Sequence, residues 1–494
     1  MANTSTRDTS RRAVDAVQPD PDAPRLKRNV VGTTGAVIMS AALMGPAVSV
    51  YFNPQLAAGF AGAAVPFVFL VSLGVVAIAA NGLGEMARKL PSAGAFYTYV
   101  SRGIGPRTGF VTGLLMFVAY SLLVPAELAL IGSYLHDILA RTLSLDVPWA
   151  FIAVFFALLT FALSLIGIQG SLRTALVLFT LEVAVILIVA VVILVKGGAS
   201  GITAQPFNPA NSPQGLSGIA LGSVYGILSF VGFEAAATLG EEAKEPRTTV
   251  PRAIMGALAL VACIYLIATF SEIIGFGVHH ISRLTGDAAP FDTLAKTYLP
   301  GFRIFVDLAG VSSIFAVVMN THNGIVRIIF AMGREGLLPR VLGSVSPRYG
   351  TPRAAIVAQS IFSVAVTLIV GFWVGPLNAY AYLGALLTLG ILPVYILVNL
   401  ACVRFYHREY PQEVSLVRHT ILPILGCLLM LIPIYGSVWP IPAAPYNYFP
   451  YLLVAYIVVG TLIASYLART RPRTLRRAGA VLADGELETE SAHA

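Results

Sequence analysis

A chain of 494 residues that is 57% hydrophobic and only 11% charged, with a mean hydropathy of +0.80, is too apolar for an ordinary soluble domain and reads as an all-α polytopic membrane protein. Its formal net charge of +8 comes without the interleaved basic and aromatic residues of a nucleic-acid surface, so the expected surroundings are a lipid bilayer and no nucleic acid. Three cysteines, Cys263, Cys402 and Cys427, lie in apolar stretches and have neither disulfide-framework nor metal-ligand spacing.

A hydrocarbon core of about 30 Å takes about 20 apolar residues per helix. Twelve transmembrane helices are predicted, over residues 33–56, 61–84, 107–135, 148–168, 172–195, 217–240, 252–275, 302–332, 354–374, 377–402, 419–438 and 448–468. Residues 1–31 and 471–494 are polar and read as disordered tails, the first without the apolar segment of a cleavable signal peptide. With the N-terminus inside, the opposite side receives only Arg141, Lys196, Arg283, Lys296 and Arg303 of the 32 basic residues. An excess of Lys and Arg marks cytoplasmic loops, so both termini are expected in the cytoplasm.

The first span is interrupted at Met44-Gly45-Pro46-Ala47-Val48. Proline removes an amide donor and clashes with the preceding turn, and the adjacent glycine loosens the backbone. Two readings follow: a plain proline kink, or a second half-helix from Pro46 whose free amides and positive dipole end make a seat for a carboxylate. After the second span, Glu85 to Tyr99 reads as an amphipathic interfacial segment serving as scaffold and gate. Glu127, beyond Pro125 in the third span, is expected near the outer interface, where solvent satisfies it. Glu182 falls near the middle of the fifth span, and a carboxyl at that depth either carries a proton or is hydrogen-bonded between helices.

The sixth span contains the most informative stretch, GSVYGILSFVGFEAAATLGEEAKEPRTTVPRAI, residues 222–254. A carboxylate at bilayer depth costs roughly 2.5–3.5 kcal/mol, so Glu234 is expected to face protein or a wet cavity. Gly232, two residues earlier, costs about 1 kcal/mol in a helix interior relative to alanine and eases local unwinding. Unwound backbone in a membrane survives only where it lines a cavity or is buried in protein. Phe230, Val231, Gly232, Phe233 and Glu234 therefore join Met44 to Val48 as candidate substrate-binding residues. The alternative is a packing glycine beside a glutamate satisfied by a neighbouring hydroxyl. Breaks in spans one and six fall at corresponding positions if residues 32–200 and 201–404 are inverted five-helix repeats, with residues 405–470 adding two C-terminal helices.

In the seventh span, Thr248 and Thr249 are cap candidates before Pro251, and Glu272 lies toward the outer end. His279 and His280 are adjacent and point apart, so no metal site is expected. In the eighth, the hydroxyls of Ser312 and Ser313 either help hold a coupling ion or bond their own helix backbone. Tyr380 and Tyr382 near the outer start of the tenth span read as an external lid or as part of an aromatic belt. The sequence has no GxxxxGK[ST], HExxH or GxSxG motif and no soluble domain for an ATPase, so neither an enzyme nor a cofactor is expected.

The stretch SFVGFEAAATLGEEAKEPRTTVPRAI resembles the sixth-span signature of the amino acid–polyamine–organocation permeases: Phe-x-Gly-x-Glu, an acidic pair, then Pro and Pro-Arg-Ala-Ile. Arg327 with Ala331-Met332-Gly333-Arg334-Glu335-Gly336, Pro339 and Thr351-Pro352 is similar to a second family pattern, and Pro91 to Tyr97 to a third. The resemblance implies a LeuT-like fold and a secondary active transporter of amino acids or related amines in the cell membrane, working by alternating access with proton coupling or exchange. It also implies that Ser312 and Ser313 lie beside the broken first span, and that Glu182 stands where several proton-coupled relatives have a lysine in place of a sodium ion. The first break departs from the family in having less glycine and serine. A polyamine or organic-cation carrier of the same fold, or a non-transporting membrane sensor, are the alternatives, and the oligomeric state is left open.

Overall fold

The computed structural model describes residues 32–90, 95–167, 172–199, 201–238, 243–334, 338–346 and 350–470. Both tails, the motif residues 91–94, the acidic pair 241–242 and residues 335–337 of the second family pattern lie outside the described residues. Every long apolar stretch is helical, as lipid requires of a backbone that must satisfy its own hydrogen bonds.

In chain order the helices are α1 (Thr33–Leu43), α2 (Pro46–Tyr51), α3 (Asn53–Ala61), α4 (Val65–Lys89), α5 (Ala95–Gly103), α6 (Pro106–Leu143), α7 (Trp149–Ile166), α8 (Leu172–Val195) and α9 (Gly215–Phe230). They continue with α10 (Ala235–Thr238), α11 (Pro246–Phe276), α12 (Ile281–Thr285), α13 (Pro290–Tyr298), α14 (Arg303–Arg334), α15 (Arg353–Val374), α16 (Pro376–Glu409), α17 (Leu422–Gly436) and α18 (Phe449–Thr470). Prolines open α2, α6, α11, α13 and α16, where the missing amide is no loss.

Among the described residues, 11 helical stretches are long and apolar enough to cross a membrane, against the twelve expected. The difference falls at the first expected span. Its start, α1, is only 11 residues long, and its remainder runs on through α2 and α3 into the continuous stretch Pro46–Lys89.

The 38-residue α6 occupies the centre, packed against α5, α7, α14, α15, α16 and α18. On the other side of the bundle α11 packs against α1, α4 and α8, and α9 lies against α3 and α4. Large apolar side chains on the outer helices face outward, among them Phe151 and Phe155 on α7, Phe372 and Trp373 on α15, and Tyr451 and Leu462 on α18. A surface of this kind suits hydrocarbon. The α1–α2–α3 and α9–α10 pieces are enclosed within it.

Candidate functional site at two helix breaks

The first break is an interruption of the helix and more than a kink. α1 stops at Leu43, Gly45 takes φ 55°, and α2 begins at Pro46. That backbone conformation favours glycine, since a Cβ in the left-handed region meets the following carbonyl. The amides at the start of α2 are already engaged. Ala47 N–H donates to the Glu182 carboxylate from α8, Val48 N–H reaches Ser313 Oγ at 3.4 Å, and Ser49 N–H bonds Gly45 O at 2.9 Å. Ser313 also donates its hydroxyl to Glu182, which is 4% exposed. The anticipated carboxylate seat thus holds the protein's own carboxylate.

Ser313 therefore belongs with Glu182 and the break, while Ser312 does not: it is half-buried, and among the described residues no hydrogen bond joins it to either break. Successive helical residues point about 100° apart, so only one of the two serines can face α2.

The second break closes on itself. α9 ends at Phe230, Gly232 takes φ 113°, and the chain turns through Phe233 and Glu234 into the short α10. Gly232 N–H donates to Glu234 Oε2 at 3.0 Å. The other carboxylate oxygen accepts from Tyr120 OH of α6 and, at 3.1 Å, from Tyr395 OH of α16. Glu234 is buried and supplied with donors, which offsets the cost of a carboxylate at this depth.

The two breaks meet backbone to backbone. A Cβ placed on Gly232 would lie 3.0 Å from the carbonyl carbon of Leu43 and 3.2 Å from the amide nitrogen of Met44. Tyr265 of α11 spans the junction, its hydroxyl lying 3.1 Å from Met44 O and 3.0 Å from Ser229 O. Asn53 Nδ2 donates to Ser229 Oγ at 2.8 Å, and Tyr380 OH donates to Asn53 Oδ1 at 2.7 Å. Tyr380 is accordingly an interior residue, where the sequence suggested a lid or belt.

Aromatic and charged groups close the junction from either side. Toward α3, Tyr51 stacks on Phe291 at 4.6 Å and Phe52 meets Tyr134 edge-on at 5.3 Å. Beyond them Arg141 bridges Asp292 and Asp307, and Arg303 pairs with Asp292 at 2.6 Å. Burial pushes the Asp292 carboxyl up, but Arg303 and Arg141 together hold it below the usual carboxylate range. Toward α10, Tyr395 packs against Phe233 at 5.4 Å and Phe96 at 5.9 Å. The expected contact residues Met44, Ala47, Val48, Phe230, Val231 and Phe233 are all buried.

The sequence reading missed Tyr120, Tyr265, Tyr395, Asn53 and Ser229. The available signal was that a tyrosine deep in an apolar span needs a partner for its hydroxyl, but the partner's identity depends on helix packing. Glu127 lies elsewhere than expected: it is 3% exposed, inside the bundle, and among the described residues its Oε2 has no hydrogen-bond partner.

Interrupted helices meeting inside a bundle of apolar helices are the architecture of a multi-pass membrane transport protein. Comparison with known sequences gives the same class and narrows it. The chain belongs to the amino acid permease family, whose sequence model matches residues 37–474. It is 27% identical to the branched-chain amino acid permease BcaP of Lactococcus lactis over 77% of this chain and 84% of that protein. It is 26% identical to the low-affinity putrescine importer PlaP of Escherichia coli over 85% of this chain and 90% of the relative. The methylthioribose transporter of Bacillus subtilis is 24% identical over 85% and 88% of the two chains.

Proposed function

We propose that this protein is a secondary active transporter of amino acids or related amines in the cytoplasmic membrane, working by alternating access around the paired breaks. The observation that carries the reading is the packing of Gly232 against the Leu43–Met44 peptide, which joins two interrupted helices through their backbones. The names of the relatives support the solute class. In this reading the first of twelve spans comprises α1, α2 and α3, the repeats are LeuT-like and cover residues 32–200 and 201–404, and both termini are cytoplasmic.

The contacts suggest how movement and coupling are linked. Shifting α1 and α2 relative to α8, α11 and α14 must release Ala47 from Glu182, Val48 from Ser313 and Met44 from Tyr265. A proton on Glu182 would remove the negative acceptor that ties α2 to α8, so its protonation and the position of α2 influence one another. Glu234 closes the second break on itself through Gly232 N–H, and Tyr120 and Tyr395 latch it to α6 and α16, so the break travels as a unit once those two hydroxyls release it. No catalytic step is assigned to any residue.

A counterflow screen over amino acids and amines in proteoliposomes tests the reading. A charge-assisted hydrogen bond contributes about 1.5–3 kcal/mol, so Glu182→Gln is expected to lower concentrative uptake about tenfold or more while sparing exchange. Identical pH dependence in the variant and the wild type would remove Glu182 from the coupling step. Specific solute binding with no flux in any direction would favour the non-transporting sensor.

A further inference from the structure

We propose that Glu127 is the anionic subsite for an ammonium group of the transported solute, an inference that rests on the transport reading above. Tyr120, Glu127, Tyr134 and Arg141 recur at seven-residue intervals on α6, close to two helical turns each, and so line one face. The neighbours on that stripe show where the face points. Tyr120 donates to Glu234 at the second break, and Tyr134 packs against Phe52 and lies 3.4 Å from Asp307. Glu127 stands between them, about 10 Å along the helix from each.

At that level it is within electrostatic range of Tyr380, which donates to Asn53, which in turn donates to Ser229 beside the second break. Glu127 thus lies on the α6 face whose neighbours, Tyr120 and Tyr134, reach the second break and Phe52. Among the described residues its Oε2 has no hydrogen-bond partner and no cationic side chain acts on it. Arg141, the cation on the same stripe, is committed to Asp292 and Asp307.

An ionised carboxylate taken out of water is costly by several kcal/mol unless it is paired. The amides at the start of α2 are engaged by Glu182, Ser313 and Gly45, and the buried groups without a partner among the described residues near the junction include the hydroxyl of Tyr51 and the carboxylate oxygen of Glu127, an acceptor. Its complement is a positively charged donor, and a primary ammonium supplies both charge and hydrogen-bond donors. Glu127 then determines specificity, favouring solutes whose cationic end reaches the α3 side of the breaks over those with an apolar end.

The test uses the full chain in proteoliposomes, with counterflow of labelled putrescine, lysine and leucine in wild type, Glu127→Gln and Glu127→Asp. Wild type is expected to carry putrescine or lysine, and the two arms distinguish a free diamine from a basic amino acid. Glu127→Gln is expected to lower cation counterflow at least about tenfold, and Glu127→Asp to retain it with a raised KM. Should Glu127→Gln fail to elute as a monodisperse species, the KM of Glu127→Asp decides: an unchanged value overturns the proposal. Cation flux at the wild-type rate in Glu127→Gln, or a wild type that carries leucine and neither cation, also overturns it. If wild type carries none of the three solutes, the transport reading fails first and takes this proposal with it.

Discussion

At Gly45 the interrupted helix is held by groups that arrive from three other helices, Glu182 on α8, Ser313 on α14 and Tyr265 on α11. At Gly232 the turn is closed locally, by a carboxylate two residues along the chain that accepts the glycine amide. The second break carries its own support and can move as a piece, with Tyr120 and Tyr395 as outside attachments. The first is also tied locally, by the Ser49 hydroxyl donating to Met44 O at 2.8 Å, but the amides of Ala47 and Val48 go to groups on other helices, so its shape registers where the neighbouring helices stand. In the proposed reading, coupling between proton and movement is therefore assigned to the first break and solute closure to the second.

The contact between the breaks is where a single atom should do most damage. Gly232→Ala adds a Cβ at a backbone conformation that costs about 1–3 kcal/mol and presses it against the Leu43 carbonyl, which cannot swing aside as a side chain would. Uptake is expected to fall about a hundredfold, measured against protein level in the membrane. Activity within about twofold of wild type would mean the two breaks separate easily and are not one unit.

Tyr265→Phe should have a smaller effect on both breaks at once. The lost hydroxyl serves two carbonyls, and intramembrane hydrogen bonds average about 0.6 kcal/mol with a maximum near 1.7, so a fall of about three- to tenfold in uptake is expected. If Tyr265→Phe and Glu182→Gln are additive in a double mutant, the first break is not a shared junction, because coupled contacts depart from additivity.

The serine pair gives the smallest difference. Ser313→Ala removes a hydroxyl shared by Val48 and Glu182 and should lower uptake about two- to threefold, while Ser312→Ala should leave it within error. The reverse order would place the other face of α14 against α2.

What could be read from the sequence follows the same contrast. The second break announces itself locally, because Gly232 and Glu234 are two residues apart and a glutamate inside an apolar run demands an explanation. The first break was legible as an interruption at Gly45-Pro46, but the partners it draws from other helices lie more than 130 residues away in sequence, and nothing near Pro46 points to them. Glu182 was picked out by depth alone. Tyr265 and Tyr120 looked like any aromatic residue of an apolar helix, and Glu127 looked solvated because the distance along α6 was read without knowing which face turns inward. The same uncertainty let Ser312 stand beside Ser313.

Tyr265 places one hydroxyl hydrogen opposite two oxygens, Met44 O and Ser229 O, at nearly equal distances of 3.1 and 3.0 Å. A single hydrogen cannot serve both at full strength. When the two half-helices part, the tyrosine can follow only one; Met44 O keeps the Ser49 hydroxyl at 2.8 Å, so a tyrosine that stays with Met44 leaves Ser229 O without this donor. Whatever donor arrives there, water or passenger, lowers the barrier to parting, so an empty carrier should change sides more slowly than a loaded one.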